Sequence, residues 1–218
     1  MKFKAACLHV IVILGLALPG GLSVAAAAKA KTLQLVGFGD SLMAGYQLPT
    51  TQSYTALLEK ALKAKGHDVA IANAGVSGDT TAAGLSRVDW SVPDGTDGVI
   101  LELGANDALR GIAPAETEKN LDQIITRLKA RNIPVLLAGM IAPPNMGGAY
   151  GDGYNGIYER LSQKHGIALY PFFLDGVVGQ QGLQLEDGMH PNAKGVQVMV
   201  DRSLPAVEAF LASIKPAQ

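Results

Sequence analysis

Apolar residues recur along this chain in two alternating rhythms. Short, nearly unbroken apolar runs occupy 32–38, 68–74 (Asp-Val-Ala-Ile-Ala-Asn-Ala), 97–103 (Asp-Gly-Val-Ile-Leu-Glu-Leu), 134–140 (Pro-Val-Leu-Leu-Ala-Gly-Met) and 167–170 (Ile-Ala-Leu-Tyr). Several of these runs are continuous, as expected for strands covered on both faces. Between them the apolar positions return every three to four residues. Tyr54, Leu57, Leu58, Ala61 and Leu62 share one face of a predicted helix over 51–65, and 79–90, 115–131 and 154–165 read in the same way. A terminal helix over 193–214 is expected to be interrupted near Pro205, which lacks the N–H that a helix interior needs. Strands alternating with helices at this spacing predict an α/β fold built on a mostly parallel sheet. The pattern contains no internal repeat and no linker.

Composition narrows the class. The 218 residues are 48% hydrophobic and 17% charged, which suits one globular domain long enough to bury a core. A net charge of −1 without a basic cluster argues against nucleic acid as the main partner. The first residues are of another kind. Lys2 and Lys4 precede an apolar stretch from Ala5 to Leu18, Pro19-Gly20-Gly21 ends it, and Ala25 to Ala28 offer small residues for cleavage. This is the pattern of a signal peptide, too short and wrongly flanked for a stable membrane span. Residues 1–28 are therefore expected to be removed, with Ala26 or Ala30 as other cleavage points, leaving one domain over 29–218. The product would be exported, either periplasmic or secreted, with 16 basic and 19 acidic residues, a net of −3. The only cysteine, Cys7, lies in the leader, so the mature chain would have no thiol nucleophile, disulfide or cysteine-ligated zinc.

In a parallel sheet the ligand crevice lies at the carboxyl ends of the strands. Three polar clusters fall there: Gly39-Asp40-Ser41 after the first strand, Asn73 to Thr80 after the second, and Gly104-Ala105-Asn106-Asp107 after the third. A serine between a strand and a predicted helix can be held rigidly with its Oγ exposed, near a helix N-terminus that favours negative charge. As an isolated tripeptide it is more commonly a helix cap. What distinguishes it is a matching base. His9 lies in the leader, His67 in a charged turn and His165 at a helix end before Gly166, whereas His190 sits in the acidic loop Asp187-Gly188-Met189-His190-Pro191. Serine needs a base within hydrogen-bond reach. His190 would take the Ser41 proton, and Asp187 would orient and stabilise the imidazole. The backbone N–H groups of Ser41 and Gly78, with the Asn106 amide, would stabilise the oxyanion. The Gly-x-Ser-x-Gly elbow of α/β-hydrolases is absent.

Four ordered blocks carry a resemblance to a known family: Phe38-Gly39-Asp40-Ser41-Leu42, Asn73-Ala74-Gly75-Val76-Ser77-Gly78-Asp79-Thr80, Gly104-Ala105-Asn106-Asp107 and Asp187-Gly188-Met189-His190-Pro191. From about residue 31 to about 212 the chain resembles the SGNH (GDSL) hydrolases. Leu101-Glu102-Leu103-Gly104, Leu109-Arg110-Gly111 and Pro171-Phe172-Phe173 look most like the bacterial thioesterase I, lysophospholipase and arylesterase branch. The resemblance implies a three-layer α/β/α fold, flavodoxin-like, with a five-stranded sheet. It also implies Ser41 as nucleophile, Gly78 and Asn106 as oxyanion donors, and Asp187 with His190 completing the triad. Ala105 and Ala108 depart from it, standing where close relatives often have glycine.

The expected substrate is a small ester or lipid-like molecule: a short to medium acyl or aryl ester, a thioester or a lysophospholipid. The segments 108–114 and 142–154 read as glycine-rich mobile loops flanking the site, with Ile112, Met146 and Tyr150 as substrate-binding residues. No cofactor and no metal is expected. Gly37-x-Gly39 has Leu42 where a dinucleotide fingerprint needs its third glycine, and a metal site would need clustered His and carboxylates, of which only Asp187 and His190 pair closely. A carbohydrate O-deacetylase using the same triad would need a polar sugar cleft. A binding protein that kept the fold without the chemistry would fail to react with a fluorophosphonate.

Overall fold

The computed structural model describes Met1 and residues 31–214, so the expected leader over 1–28, Met1 apart, lies outside the described residues. Five strands, β1 (Leu33–Gly39), β2 (Val69–Gly75), β3 (Gly98–Glu102), β4 (Val135–Ala138) and β5 (Ala168–Tyr170), form one sheet in the order β2-β1-β3-β4-β5. Every pairing is parallel, with Phe38 opposite Ala74 on one side and Leu101 on the other, and Leu137 opposite Leu169. The order explains the sequence pattern. β3 and β4 lie inside the sheet and are buried along their whole length, as is most of β1, whereas β2 and β5 are edges and partly exposed.

Helices cover both faces. α2 (Tyr54–Ala64) packs on α8 (Ala193–Ser213), and α3 (Thr81–Ser91) packs on α5 (Pro114–Ala130), which meets α7 (Ile157–His165). Right-handed crossovers send the β1-to-β2 connection to one face and the later ones to the other, because the chain reverses direction after β2. The result is a three-layer α/β/α fold. Three short helices complete it: α1 (Ser41–Ala44), α4 (Ala105–Leu109) and α6 (Gly148–Tyr154). No helix among the described residues is long and apolar enough to cross a membrane.

Two expectations about the elements are corrected. α8 runs unbroken through Pro205. Pro205 cannot donate to the Asp201 carbonyl, but both residues are exposed, so water can serve that oxygen. Val200, Ser203, Val207 and Phe210 meanwhile stay buried on the opposite face. The 142–154 segment is likewise no open loop: it forms a 3₁₀ turn (Pro144–Met146) followed by α6. Three glycines weaken that helix by ~1 kcal/mol each relative to alanine. The buried Tyr154, stacked on Tyr150 with ring centroids 5.8 Å apart, holds it to the core.

The strand ends are tied from beneath by Arg87 of α3, which is 5% exposed. Its Nε donates to Asp79 Oδ2 (2.6 Å), Nη1 to Ala74 O (2.9 Å) and Ser91 Oγ (3.1 Å), and Nη2 to Gly39 O (2.8 Å). The guanidinium carbon also lies 4.1 Å from the centre of the Phe38 ring. Removing one partner of a buried ion pair leaves the other charge uncompensated, at a cost of ~3–5 kcal/mol. Arg87→Met should therefore lower unfolding free energy by about that amount in urea titration. A loss below ~1 kcal/mol would show that water replaces the guanidinium.

Candidate active site

Ser41 is the first residue of α1, directly after β1. Asp40 caps that helix: its Oδ1 accepts the Leu42 N–H at 3.0 Å. Leu42 and Met43 are buried, which fixes the single turn despite its length. Across the crevice, Ser41 Oγ lies 2.9 Å from His190 Nε2, and His190 Nδ1 lies 2.6 Å from Asp187 Oδ2. The far Asp187 oxygen accepts the backbone N–H groups of Met189 (2.9 Å) and His190 (3.0 Å). Those donors, the His190 N–H first, pull the Asp187 carboxyl down to about 2. An ionised carboxylate against Nδ1 requires that nitrogen to carry the hydrogen, which leaves Nε2 as acceptor for the serine hydroxyl.

The Asp187–His190 turn is anchored at both ends. Leu185 N–H donates to His190 O (2.8 Å), and Gln184 bridges to Pro191. Asn192 then caps α8 through Oδ1, which accepts the Lys194 and Gly195 N–H groups. Its Nδ2 donates back to Gly182 O and Gln184 O. One asparagine thus joins the loop to the longest helix.

Opposite the imidazole, the backbone N–H groups of Ser41 and Gly78 find no acceptor among the described residues. Arg110 Nη2 holds the Gly78 carbonyl at 2.8 Å. Asn106 sits in α4, with Nδ2 donating to Asp40 Oδ2 and Asp79 O, each at 3.0 Å. Both amide hydrogens are engaged, so a developing oxyanion would have to share one or replace its acceptor. The turn carrying Asn106 is pinned by two tyrosines: Tyr158 Oη donates to Leu103 O (2.9 Å) and Tyr154 Oη to Gly104 O (2.7 Å). Gly104 must be glycine, since its φ is +120° and a Cβ would collide with Tyr158 Oη.

Two further carboxyls lie beneath the serine. Burial raises Asp40 to about 6, against the opposing pull of Leu42 N–H and Asn106 Nδ2. Glu102, at the end of β3, is pushed well above the usual carboxylate range by burial and then by the Asp40 charge. Its Oε2 accepts the Asp40 N–H at 3.2 Å, while Oε1 is buried without a partner. The upward push on Glu102 disfavours two like charges buried side by side.

A cleft of about 570 Å³ opens beside Ser41, Asn106 and His190. Leu42, Ala105, Ala108, Leu109, Met140, Ile141, Pro143, Pro144, Phe172, Leu174 and Val178 wall it, so the lining is predominantly apolar. The expected substrate-binding residues Ile112, Met146 and Tyr150 are not among these lining residues. Tyr150 Oη donates to Ile112 O at 2.8 Å, and the Met146 methyl lies against Gly111. The three fasten α6 to the turn after α4 instead. Ala142 N–H, held by Asn155 Oδ1 at 2.8 Å, ties the start of the same segment.

Sequence reading missed Tyr46, Arg87, Glu102, Tyr154 and Tyr158. Tyr154 and Tyr158 had a signal, an i,i+4 pair of hydroxyls on one predicted helix face. Arg87 and Glu102 had only their presence as charged residues within an apolar helix face and a buried strand. Among the described residues, no group of three or more His, Cys, Asp or Glu side chains is arranged to hold a metal ion.

The model of the GDSL-like lipase/acylhydrolase family matches residues 38–198. Esterase TesA of Pseudomonas aeruginosa is 38% identical over 185 residues, covering 84% of this chain and 91% of its own length. An arylesterase of Vibrio mimicus is 41% identical, over 78% of this chain and 84% of its own. Thioesterase 1/protease 1/lysophospholipase L1 of Escherichia coli K12 is 36% identical, over 80% and 82% respectively. The crystal structure of AlinE4, an SGNH-hydrolase family esterase, superposes with a TM-score of 0.71 at 45% identity, covering 84% of this chain and 99% of that one.

If Asn106 acts on developing charge, Asn106→Ala should lower kcat by ~10²–10³ with a much smaller change in KM. Steady-state kinetics on a chromogenic ester would measure both, and a rise in KM alone would make Asn106 a ground-state binding residue.

Proposed function

As the chain belongs to the GDSL-like lipase/acylhydrolase family and is a carboxylic ester hydrolase, we propose that it is an exported serine esterase working through an acyl-enzyme on Ser41. The single observation that carries the reading is the continuous relay from Ser41 Oγ through His190 to Asp187, with contacts of 2.9 and 2.6 Å. Ser41 Oγ attacks the acyl carbon as its proton passes to His190 Nε2. Asp187, ionised at any working pH, stabilises the imidazolium. The carbonyl oxygen gains charge and is met by the free N–H groups of Ser41 and Gly78 and by the Asn106 amide. Collapse of the tetrahedral intermediate expels the alcohol or thiol, which takes the proton from His190. Water, activated by the same imidazole, then hydrolyses the acyl-enzyme and frees Ser41.

The apolar cleft favours an acyl chain or aryl group over a sugar, since it offers few hydrogen-bonding side chains for ring hydroxyls. Short to medium acyl and aryl esters are the proposed substrates, with thioesters and lysophospholipids as further members of the same chemistry. Ser41→Ala should abolish hydrolysis of p-nitrophenyl esters of graded acyl length, phenyl acetate, an acyl-CoA and a lysophospholipid, leaving only residual catalysis from the oxyanion site. Wild-type-like turnover in that variant would sink the mechanism, and activity confined to an acetylated sugar would establish the deacetylase instead. Failure of the wild type to react with a fluorophosphonate would favour a non-catalytic binding protein.

Export rests on Lys2, Lys4, the apolar stretch 5–18 and the alanines at 25–28. Intact-mass measurement of protein expressed with its leader should give a chain that begins at Lys29, after the alanine run. A full-length mass would refute cleavage.

A further inference from the structure

Resting on that reading of Ser41 and His190, we propose that Tyr46 is a positioning residue that steadies the charged form of the His190 imidazole. The Tyr46 and His190 rings lie with centroids 4.3 Å apart and planes 34° from parallel. A cation within about 6 Å of an aromatic centre is attracted by the negative ring face. His190 becomes such a cation each time it takes the Ser41 proton.

The chain builds this contact from the same turn that carries the nucleophile. α1 lasts one turn and ends at Gly45, whose N–H, like that of Tyr46, returns to the Ser41 carbonyl at 3.1 Å. Gly45 has φ +81°, and a Cβ there would come within 2.9 Å of Ser53 Cβ, so only glycine makes this reversal without strain. The reversal brings the Tyr46 ring back over His190. Ser41 thus meets Nε2 at one end of the turn while Tyr46 meets the ring face at the other. Tyr46 remains 37% exposed, more than a residue retained for core packing alone would be.

The charged and titratable groups around His190 are Asp187 on its own loop, Asp40 on the β1–α1 turn with Glu102 behind it, and Tyr46. Only Tyr46 acts through a ring face. Replacing it by leucine keeps apolar bulk and removes the quadrupole. Tyr46→Leu should lower kcat about three- to tenfold with KM held within about twofold, the size expected of a partly exposed cation–π contact. The sign of the pH effect follows: an imidazolium without its ring partner gives up its proton more readily, so the acidic limb of kcat/KM should move to lower pH. Tyr46→Phe, which keeps the ring, should recover most of both changes.

The measurement is kcat and KM against pH for wild type, Tyr46→Leu and Tyr46→Phe on one p-nitrophenyl ester, with thermal unfolding confirming that each variant is folded. Wild-type kcat in the leucine variant would overturn the proposal. So would a rise in KM alone, a fall in kcat with the acidic limb unmoved, or a phenylalanine variant as impaired as the leucine one. These outcomes are distinct from failure of the Ser41 reading, which would appear as an inactive wild type or an active Ser41→Ala variant.

Discussion

Buried below the carboxyl ends of β1 and β2, the Arg87 guanidinium satisfies Gly39 O, Ala74 O and Asp79 at once. Strand ends create this need. Where a parallel strand stops, its last carbonyls leave the ladder, and in a covered sheet water is not there to take them. Arg87 serves the turn before Ser41 and the segment leading to Gly78. Tyr154 and Tyr158 do the same for the turn before Asn106. Asp107 joins the last two, with its Oδ2 accepting the Thr81 N–H at 2.8 Å and its Oδ1 the Thr81 hydroxyl at 2.5 Å. The proposed catalytic groups are therefore held by buried side chains that bond the carbonyls of the turns carrying them.

Three carboxyls near Ser41 show how environment divides one chemical group into different roles. Asp187 is partly exposed and collects backbone donors, so it stays an anion. Asp40 is fully buried but receives Leu42 N–H and Asn106 Nδ2, and sits between the two extremes at about 6. Glu102 is buried with one oxygen unpaired, and burial with the Asp40 charge pushes its carboxyl well above the usual range, which disfavours a second buried charge under the nucleophile turn.

The apolar cleft has a different origin from the polar end of the site. Apart from Leu42, its walls come from segments after β3, β4 and β5, reached because those strands are neighbours in the sheet. Leu109, Ile141 and Val178 each remain about half exposed at its margin, so part of the apolar surface is left open where an acyl or aryl group would enter.

The sequence alone determined the strands and the main helices, because burial on both faces or on one leaves a periodic record in residue type. It also singled out Ser41, Asp187 and His190, since few serines and histidines occupy strand ends or acidic loops, and the structure brings these three together. Glycine content misled: in 142–154 it reads as a loop, but Tyr150 and Tyr154 gain enough packing to fold α6, where the Tyr150 hydroxyl reaches the Ile112 carbonyl. Pro205 misled in the same way, through a local rule overridden by the buried face of α8. Only the tertiary structure decided which residues wall the cleft, that Arg87 ties three segments, and that Tyr46 lies on His190. Those contacts join positions from 8 to 144 residues apart, and side-chain direction across such separations is set by packing, which leaves no periodic trace in the chain.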